Sequence, residues 1–114
     1  MPLKRRALLA ASLGAAVPVV GRAAPEPIRV GWVTALTGAS SAPGIGFDRG
    51  VHFAVDEINA AGGVHGRPFE VVTRDTQGDP TKAVNASVEL ISRQKVVAIW
   101  GPVNSGEALA TTPL

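Results

Sequence analysis

The stretch Glu57-Ile58-Asn59-Ala60-Ala61-Gly62-Gly63-Val64-His65-Gly66-Arg67 stands between two kinds of periodicity. Before it, Phe47, Val51, Ala54, Val55 and Ile58 recur at helical spacing on one face, while Asp48, Arg49, His52, Asp56 and Asn59 fall on the other. After it, residues 69–73 (FEVVT) form a short run rich in β-branched side chains, the pattern of a strand. The Gly62-Gly63 pair divides the two, because glycine adopts the left-handed backbone that commonly ends a helix. A helix from Phe47 that stops at a double glycine and leads into a strand is the middle of a β-α-β arrangement.

The flanking sequence completes it. Residues 28–35 (IRVGWVTA) read as a buried strand, and residues 36–46, rich in Gly, Ser and Pro, read as a loop. Downstream, Asp79-Pro80 predicts a helix start, since the Asp side chain can cap free amides and Pro tolerates the first helical position. Val84, Val88 and Ile91 mark the expected buried stripe of that second helix. Residues 96–100 (VVAIW) are apolar throughout, as expected of a central parallel strand. Residues 101–106 lead into a third helix that begins near Ser105 and is expected to be cut off at Leu114. The alternation implies an α/β fold, a Rossmann-like parallel sheet between helical layers.

Composition narrows the function. With 114 residues the chain suits one small domain. Lys4, Arg5 and Arg6 precede an apolar run over residues 7–20, and small residues surround Arg22, the three regions of a secretory leader spanning residues 1–23. The run is about 14 residues and contains Pro18, whereas a membrane span needs roughly 20. Arg5-Arg6 also fits the loose twin-arginine pattern, leaving both export routes open. The leader holds four of the eleven Lys and Arg residues and none of the nine Asp and Glu residues. The remainder has a formal charge of −2, which offers no phosphate-binding surface and implies no nucleic-acid partner. There is no cysteine, hence no disulfide framework or thiolate chemistry.

In open parallel sheets, ligands bind beyond the carboxyl ends of the strands where the strand order reverses. With the order 2-1-3, the loops at residues 36–46 and 101–105 become neighbours at that edge. They offer Thr37, Ser41, Asn104 and Ser105, and Ser105 at a helix start is placed to hold a carboxylate. The same glycines and serines also suit plain turns, and Ser105 also suits a plain helix cap.

Other constellations carry less. Thr37-Gly38 and Gly44-Ile45-Gly46 resemble the cofactor loop of short-chain dehydrogenases, but five residues intervene instead of three and one is Pro43, which spoils the turn that cradles a pyrophosphate. Asp56 and Glu57 are adjacent on a helix and point about 100° apart, so they do not form a catalytic pair. His52 and His65 lack further ligands at metal spacing. Asn85-Ala86-Ser87 matches a glycosylation acceptor but falls inside a helix. No cofactor, metal site or catalytic residue is expected.

Taken together, Ile28-Arg29-Val30-Gly31, Leu36-Thr37-Gly38, Glu57 to Arg67, Asp75 with Asp79-Pro80, Lys82-Ala83-Val84 and Gly101 to Ala108 resemble the first lobe of ABC-transporter solute-binding proteins of the branched-chain amino-acid (Leu/Ile/Val) type. The resemblance covers residues 28–114 and implies the type I periplasmic-binding-protein fold, two Rossmann-like lobes closing by a hinge over a solute. It implies a non-enzymatic periplasmic protein that passes an amino acid or similar small organic solute to an ABC permease. In the family, the serine of the G-P-x-x-S turn holds the solute's α-carboxylate, which implies that role for Ser105. Asn104, Thr37 and Ser41 are the implied supporting contacts. Several amino-acid binders carry an aromatic side chain where Pro43 aligns, so amides, urea and aromatic acids remain open as solutes beside amino acids. Family members are several times longer, so residues 24–114 are expected to be a partial N-terminal lobe that binds solute very weakly or not at all alone. The same fold attached to a signalling receptor is the alternative.

Overall fold

The computed structural model describes residues 21–114. The expected leader lies almost wholly outside them. The elements are β1 (Ile28–Thr34), α1 (Ser41–Ala60), β2 (Phe69–Asp75), α2 (Pro80–Ser92), β3 (Ala98–Trp100) and α3 (Ser105–Thr111). All three strands are parallel in the order β2-β1-β3. The chain passes from β1 outward to β2, then crosses back over β1 to reach β3, so the strand order reverses between β1 and β3.

Side chains alternate across the sheet, and the two faces take different helices. Trp32 on β1 is buried and donates from Nε1 to Asp48 Oδ1 of α1 at 2.9 Å. Its neighbour Val33 points the other way and packs with Ala83 and Leu90 of α2, flanked by Val72, Val96 and Ile99. Gly31 makes this second face possible. A Cβ there would lie 2.9 Å from Leu90 Cδ1, so the missing side chain is the space that Leu90 fills. Burying a side chain the size of Leu90 stabilises the fold by about 1.5–3 kcal/mol.

The double-glycine stretch does what its composition requires. Gly62 and Gly63 have φ of 103° and 75°. The Gly63 amide donates to the Ile58 carbonyl at 2.9 Å and the Gly62 amide to that of Asn59 at 3.1 Å, the paired bonds of a Schellman stop. Asn59 then clasps the next strand: its Nδ2 donates to the Phe69 carbonyl at 2.9 Å, and its Oδ1 accepts from the Phe69 amide at 2.8 Å. A tight turn comes next, with the Val64 and Arg67 amides each donating to the other's carbonyl at 2.8 and 3.0 Å.

Several expectations are corrected. The first helix begins at Ser41, six residues before Phe47, so residues 41–46 are helix rather than loop. The reason is packing: a Cβ on Gly44 would lie 1.8 Å from the Ala35 carbonyl oxygen, so glycine lets the helix start directly against the end of β1. Of the apolar face, Val55 is buried and Val51 half-buried, but Phe47 is 57 % exposed and Ala54 and Ile58 are exposed. Asp48 and Asn59, expected on the solvent face, are half-buried and bonded to Trp32 and Phe69. On α2 the buried stripe is Ala83, Ser87 and Leu90, one residue from that expected, while Val88 and Ile91 are exposed. The third strand is Ala98–Trp100, shorter than residues 96–100. The third helix closes at Thr111 rather than running to Leu114.

Candidate functional site

Three loops leave the carboxyl ends of the strands, at residues 35–40, 76–79 and 101–104. Asp75, the last residue of β2, ties the first two together. Its Oδ1 accepts from the amides of Leu36 at 2.9 Å, Thr37 at 3.3 Å and Gln77 at 2.9 Å. Its Oδ2 accepts from the Thr37 hydroxyl at 2.6 Å. Desolvation acts to raise this carboxyl, but the bonds from the Thr37 hydroxyl and the Gln77, Leu36 and Thr37 amides outweigh it and lower its pKa from 3.8 to about 2. The Thr76 amide adds a bond to the Thr34 carbonyl at 2.9 Å, so the loop after β2 is fastened to the end of β1 twice.

The loop after β2 also starts α2. Asp79 Oδ1 accepts from the Lys82 amide at 2.9 Å, the expected cap ahead of Pro80. Gly78 marks where all three loops meet. A Cβ there would fall 3.2 Å from Ser40 Oγ and 3.8 Å from Asn104 Nδ2, so the first and third loops close over it from either side.

The expected site residues are spread along this edge. Thr37 is exposed, and its hydroxyl proton is committed to Asp75. Ser41 is the first residue of α1 and half-buried; Pro43, exposed, lies in the same helical turn. Asn104 precedes α3 and is half-buried, while Ser105 opens that helix and is exposed. Asn104 does not cap α3 with its side chain; its Nδ2 donates instead to Glu107 Oε2 at 2.6 Å. Ser40, the residue preceding α1, likewise makes no side-chain cap bond.

Sequence reasoning passed over four of these residues. Asp75 was visible only as part of a motif, because a carboxylate that accepts four bonds from residues 36–77 has no local signature. Ser40 looked like one more loop serine. Gly78 looked like a turn. Glu107 had a readable signal, since Asn104-Ser105-Gly106-Glu107 has the spacing of a capping box.

Other polar groupings are structural. Arg74 grips Glu89 of α2 through Nε at 2.8 Å and Nη2 at 3.1 Å, and Gln94 Nε2 adds a bond at 3.1 Å. The Arg74 bonds hold the Glu89 carboxyl below the ordinary value, with Gln94 helping. Among the described residues no cluster of three metal-ligating side chains occurs, and no helix is long and apolar enough to cross a membrane. A concavity of about 580 Å³ runs along the outer flank of β3 between α2 and α3 and reaches Gly101 and Pro102 of the third loop; Ile91, Val97, Ile99 and Leu114 line it together with Ser87, Thr111 and Thr112.

A parallel sheet with helices on both faces, and with loops converging where the strand order reverses, is the arrangement in which open α/β folds place their ligands. Comparison with known proteins identifies which kind. A family model described as periplasmic binding protein matches residues 27–114. The chain is 35 % identical over 108 residues to Leu/Ile/Val-binding protein homolog 8 of Brucella abortus, covering 94 % of this chain and 27 % of that protein. It is 35 % identical over 91 residues to the chemotactic signal transduction system substrate-binding protein BasB of Halobacterium salinarum, covering 78 % of this chain and 22 % of that one. The solved structure of the branched-chain amino acid transporter substrate-binding protein LivJ from Streptococcus pneumoniae, in complex with isoleucine, superposes with a TM-score of 0.75 at 36 % identity, over 76 % of this chain and 25 % of that chain. The chain belongs to the periplasmic binding protein family, with the type I fold that its motifs resemble. It spans about a quarter of the length of these relatives.

Proposed function

We propose that the chain forms part of the first-lobe wall of a periplasmic solute-binding protein, which captures an amino acid of the branched-chain type, or a similar small organic solute, for an ABC permease. The observation that carries this reading is the convergence of Ser40 and Asn104, the residues just before Ser41 and Ser105, on Gly78 at the edge where the strand order reverses. Ser105 receives the solute's carboxylate. Thr37, held by Asp75, and Ser41 line the same edge, and Asn104 and Pro43 flank it. Residues 1–23 are an export leader removed from the mature protein. The role is capture and delivery rather than catalysis, and it calls for neither cofactor nor nucleic acid.

A second reading, a ligand-sensing component of a signalling system, has support from the similarity to the chemotactic substrate-binding protein. Both readings use the same edge.

The test is a chimera in which residues 27–114 replace the matched quarter of the isoleucine-binding S. pneumoniae protein. Calorimetry with isoleucine should show binding, and Ser105→Ala should weaken it by about 1–3 kcal/mol, roughly 5- to 150-fold in Kd. A folded chimera whose Ser105→Ala form binds with unchanged affinity removes Ser105 from the site.

A further inference from the structure

Beyond position 23 the sequence has no run of basic residues, and its formal charge of −2 argues against a surface that takes phosphate. Folding nonetheless gathers three of the seven Lys and Arg residues of that segment at one place. Arg29, Arg67 and Lys95, far apart in sequence, line a concavity of about 280 Å³ together with Glu26, Gln94 and Val97. It lies at the amino ends of the strands, the opposite end of the sheet from the loops of the candidate site.

Each cation reaches it from a different segment. Arg29 is the second residue of β1, Arg67 stands two residues before β2, and Lys95 stands in the turn between α2 and β3. Arg67 Nε donates to the Glu26 carbonyl at 2.9 Å, which fixes the guanidinium and leaves both Nη nitrogens without a partner among the described residues. Arg29 Nε meets Glu70 Oε2 at 3.2 Å and likewise keeps both Nη nitrogens unpartnered among the described residues. Neither Arg67 nor Lys95 forms an ion pair among the described residues. Three cations against the one carboxylate of Glu26 leave the lining at +2, and at +1 when Glu70 is counted with Arg29. Lys95 also stands where its residue type is strained. Its φ is 55°, the left-handed backbone that glycine adopts most readily, so a lysine there keeps an ammonium at the concavity against the local backbone preference.

We propose that this concavity is an anion site for a phosphate group. A guanidinium offers paired N–H donors to two oxygens of one anion, and the ammonium adds a point charge. A tetrahedral dianion presents oxygens to all three cations at once, whereas a carboxylate presents two in one plane. The recessed walls focus the field of these charges on a protein whose remainder is negative. The site is separate from the solute edge and does not depend on the binding reading above.

The test is a titration of the full 15N-labelled chain with inorganic phosphate at constant ionic strength, set with sodium chloride. The amides of Arg29, Arg67, Lys95 and Val97 should shift and saturate in the millimolar range, while residues 36–41 and 101–106 stay still. Lys95→Gly removes the ammonium and suits the left-handed backbone, so the variant should fold; it should weaken binding about three- to fivefold, as expected for one exposed charge. Adding Arg67→Gln should bring the loss to about tenfold or more. Arg93→Gln removes a cation two residues from Lys95 that does not line the concavity, and should leave binding unchanged. Shifts that rise without saturating, that chloride alone reproduces, or that Arg93→Gln weakens as much as Lys95→Gly, overturn the site. With the site established, vesicles of phosphatidylglycerol in phosphatidylcholine distinguish the source of the phosphate. Retention on them that the double variant reduces assigns it to a lipid headgroup, and retention equal in both chains assigns it to a soluble phosphate.

Discussion

Asp75 holds two loops with one side chain, and that makes it the most consequential single residue at the edge. Asp75→Ala should lower stability by about 1–3 kcal/mol, measured by urea denaturation, because three amides and the Thr37 hydroxyl lose a charged acceptor. The same geometry sets a pH dependence. The folded carboxyl has its pKa near 2 against 3.8 ordinarily, so protons bind the unfolded chain more readily. The stability that Asp75 contributes is therefore fully present above its ordinary value and is lost as pH falls from there toward 2. Denaturant midpoints tracked through that window should fall for the wild type and flatten in Asp75→Asn. The positions of Thr37, Asn104 and Ser105, in or beside the loops at the strand ends, could be read from the sequence because the residue types there announce turns. Asp75 could not be assigned its role, since it acts through contacts that only the folded loops create.

At the scale of elements, the double-glycine stretch shows why certain residues recur where a helix gives way to a strand. Asn59 supplies a donor and an acceptor to the one residue, Phe69, that opens β2. Asn59→Ala should cost about 1–3 kcal/mol by chemical denaturation, the penalty for stranding a half-buried amide and carbonyl. Asn85→Ala, exposed on α2, should stay within about 0.5 kcal/mol of wild type. Gly44→Ala tests the close approach of α1 to β1, since its methyl would overlap the Ala35 oxygen. It should destabilise by about 1–3 kcal/mol or more, against the usual gain from replacing a helical glycine. The order and type of all six elements were legible, because period and punctuation agree along the chain. The start of α1 was not, because Ser, Pro and Gly read as loop while their value here is that they let a helix begin against a strand end. The stripe of α2 was misplaced because apolarity points to Val84, Val88 and Ile91. The buried face instead carries the smaller Ala83 and Ser87, with Leu90 filling the space over Gly31.

Across the whole molecule, the stretch that decides the fold and the residues proposed to face the solute lie at opposite ends of the sheet. Residues 59–69 close the amino ends of β1 and β2, where Ile28 pairs with Phe69. The loops of the candidate site leave the carboxyl ends. The fold signature is therefore strong evidence of architecture and weak evidence of which solute is bound, and the loops at the carboxyl ends carry the choice. Among the described elements β3 pairs with β1 alone and has a free edge, with Val97 71 % exposed before it and Leu109 77 % exposed on α3. Exposed edges of this kind promote association. Val97→Lys should lower self-association in sedimentation without lowering the unfolding midpoint.

The measurement that tests the central claim most directly is hydrogen–deuterium exchange of the isoleucine-binding chimera, with and without isoleucine. The account predicts added protection at residues 36–41 and 101–106 and none at residues 59–69. Protection confined to residues 59–69, or to residues 88–97 along the apolar groove, would contradict it.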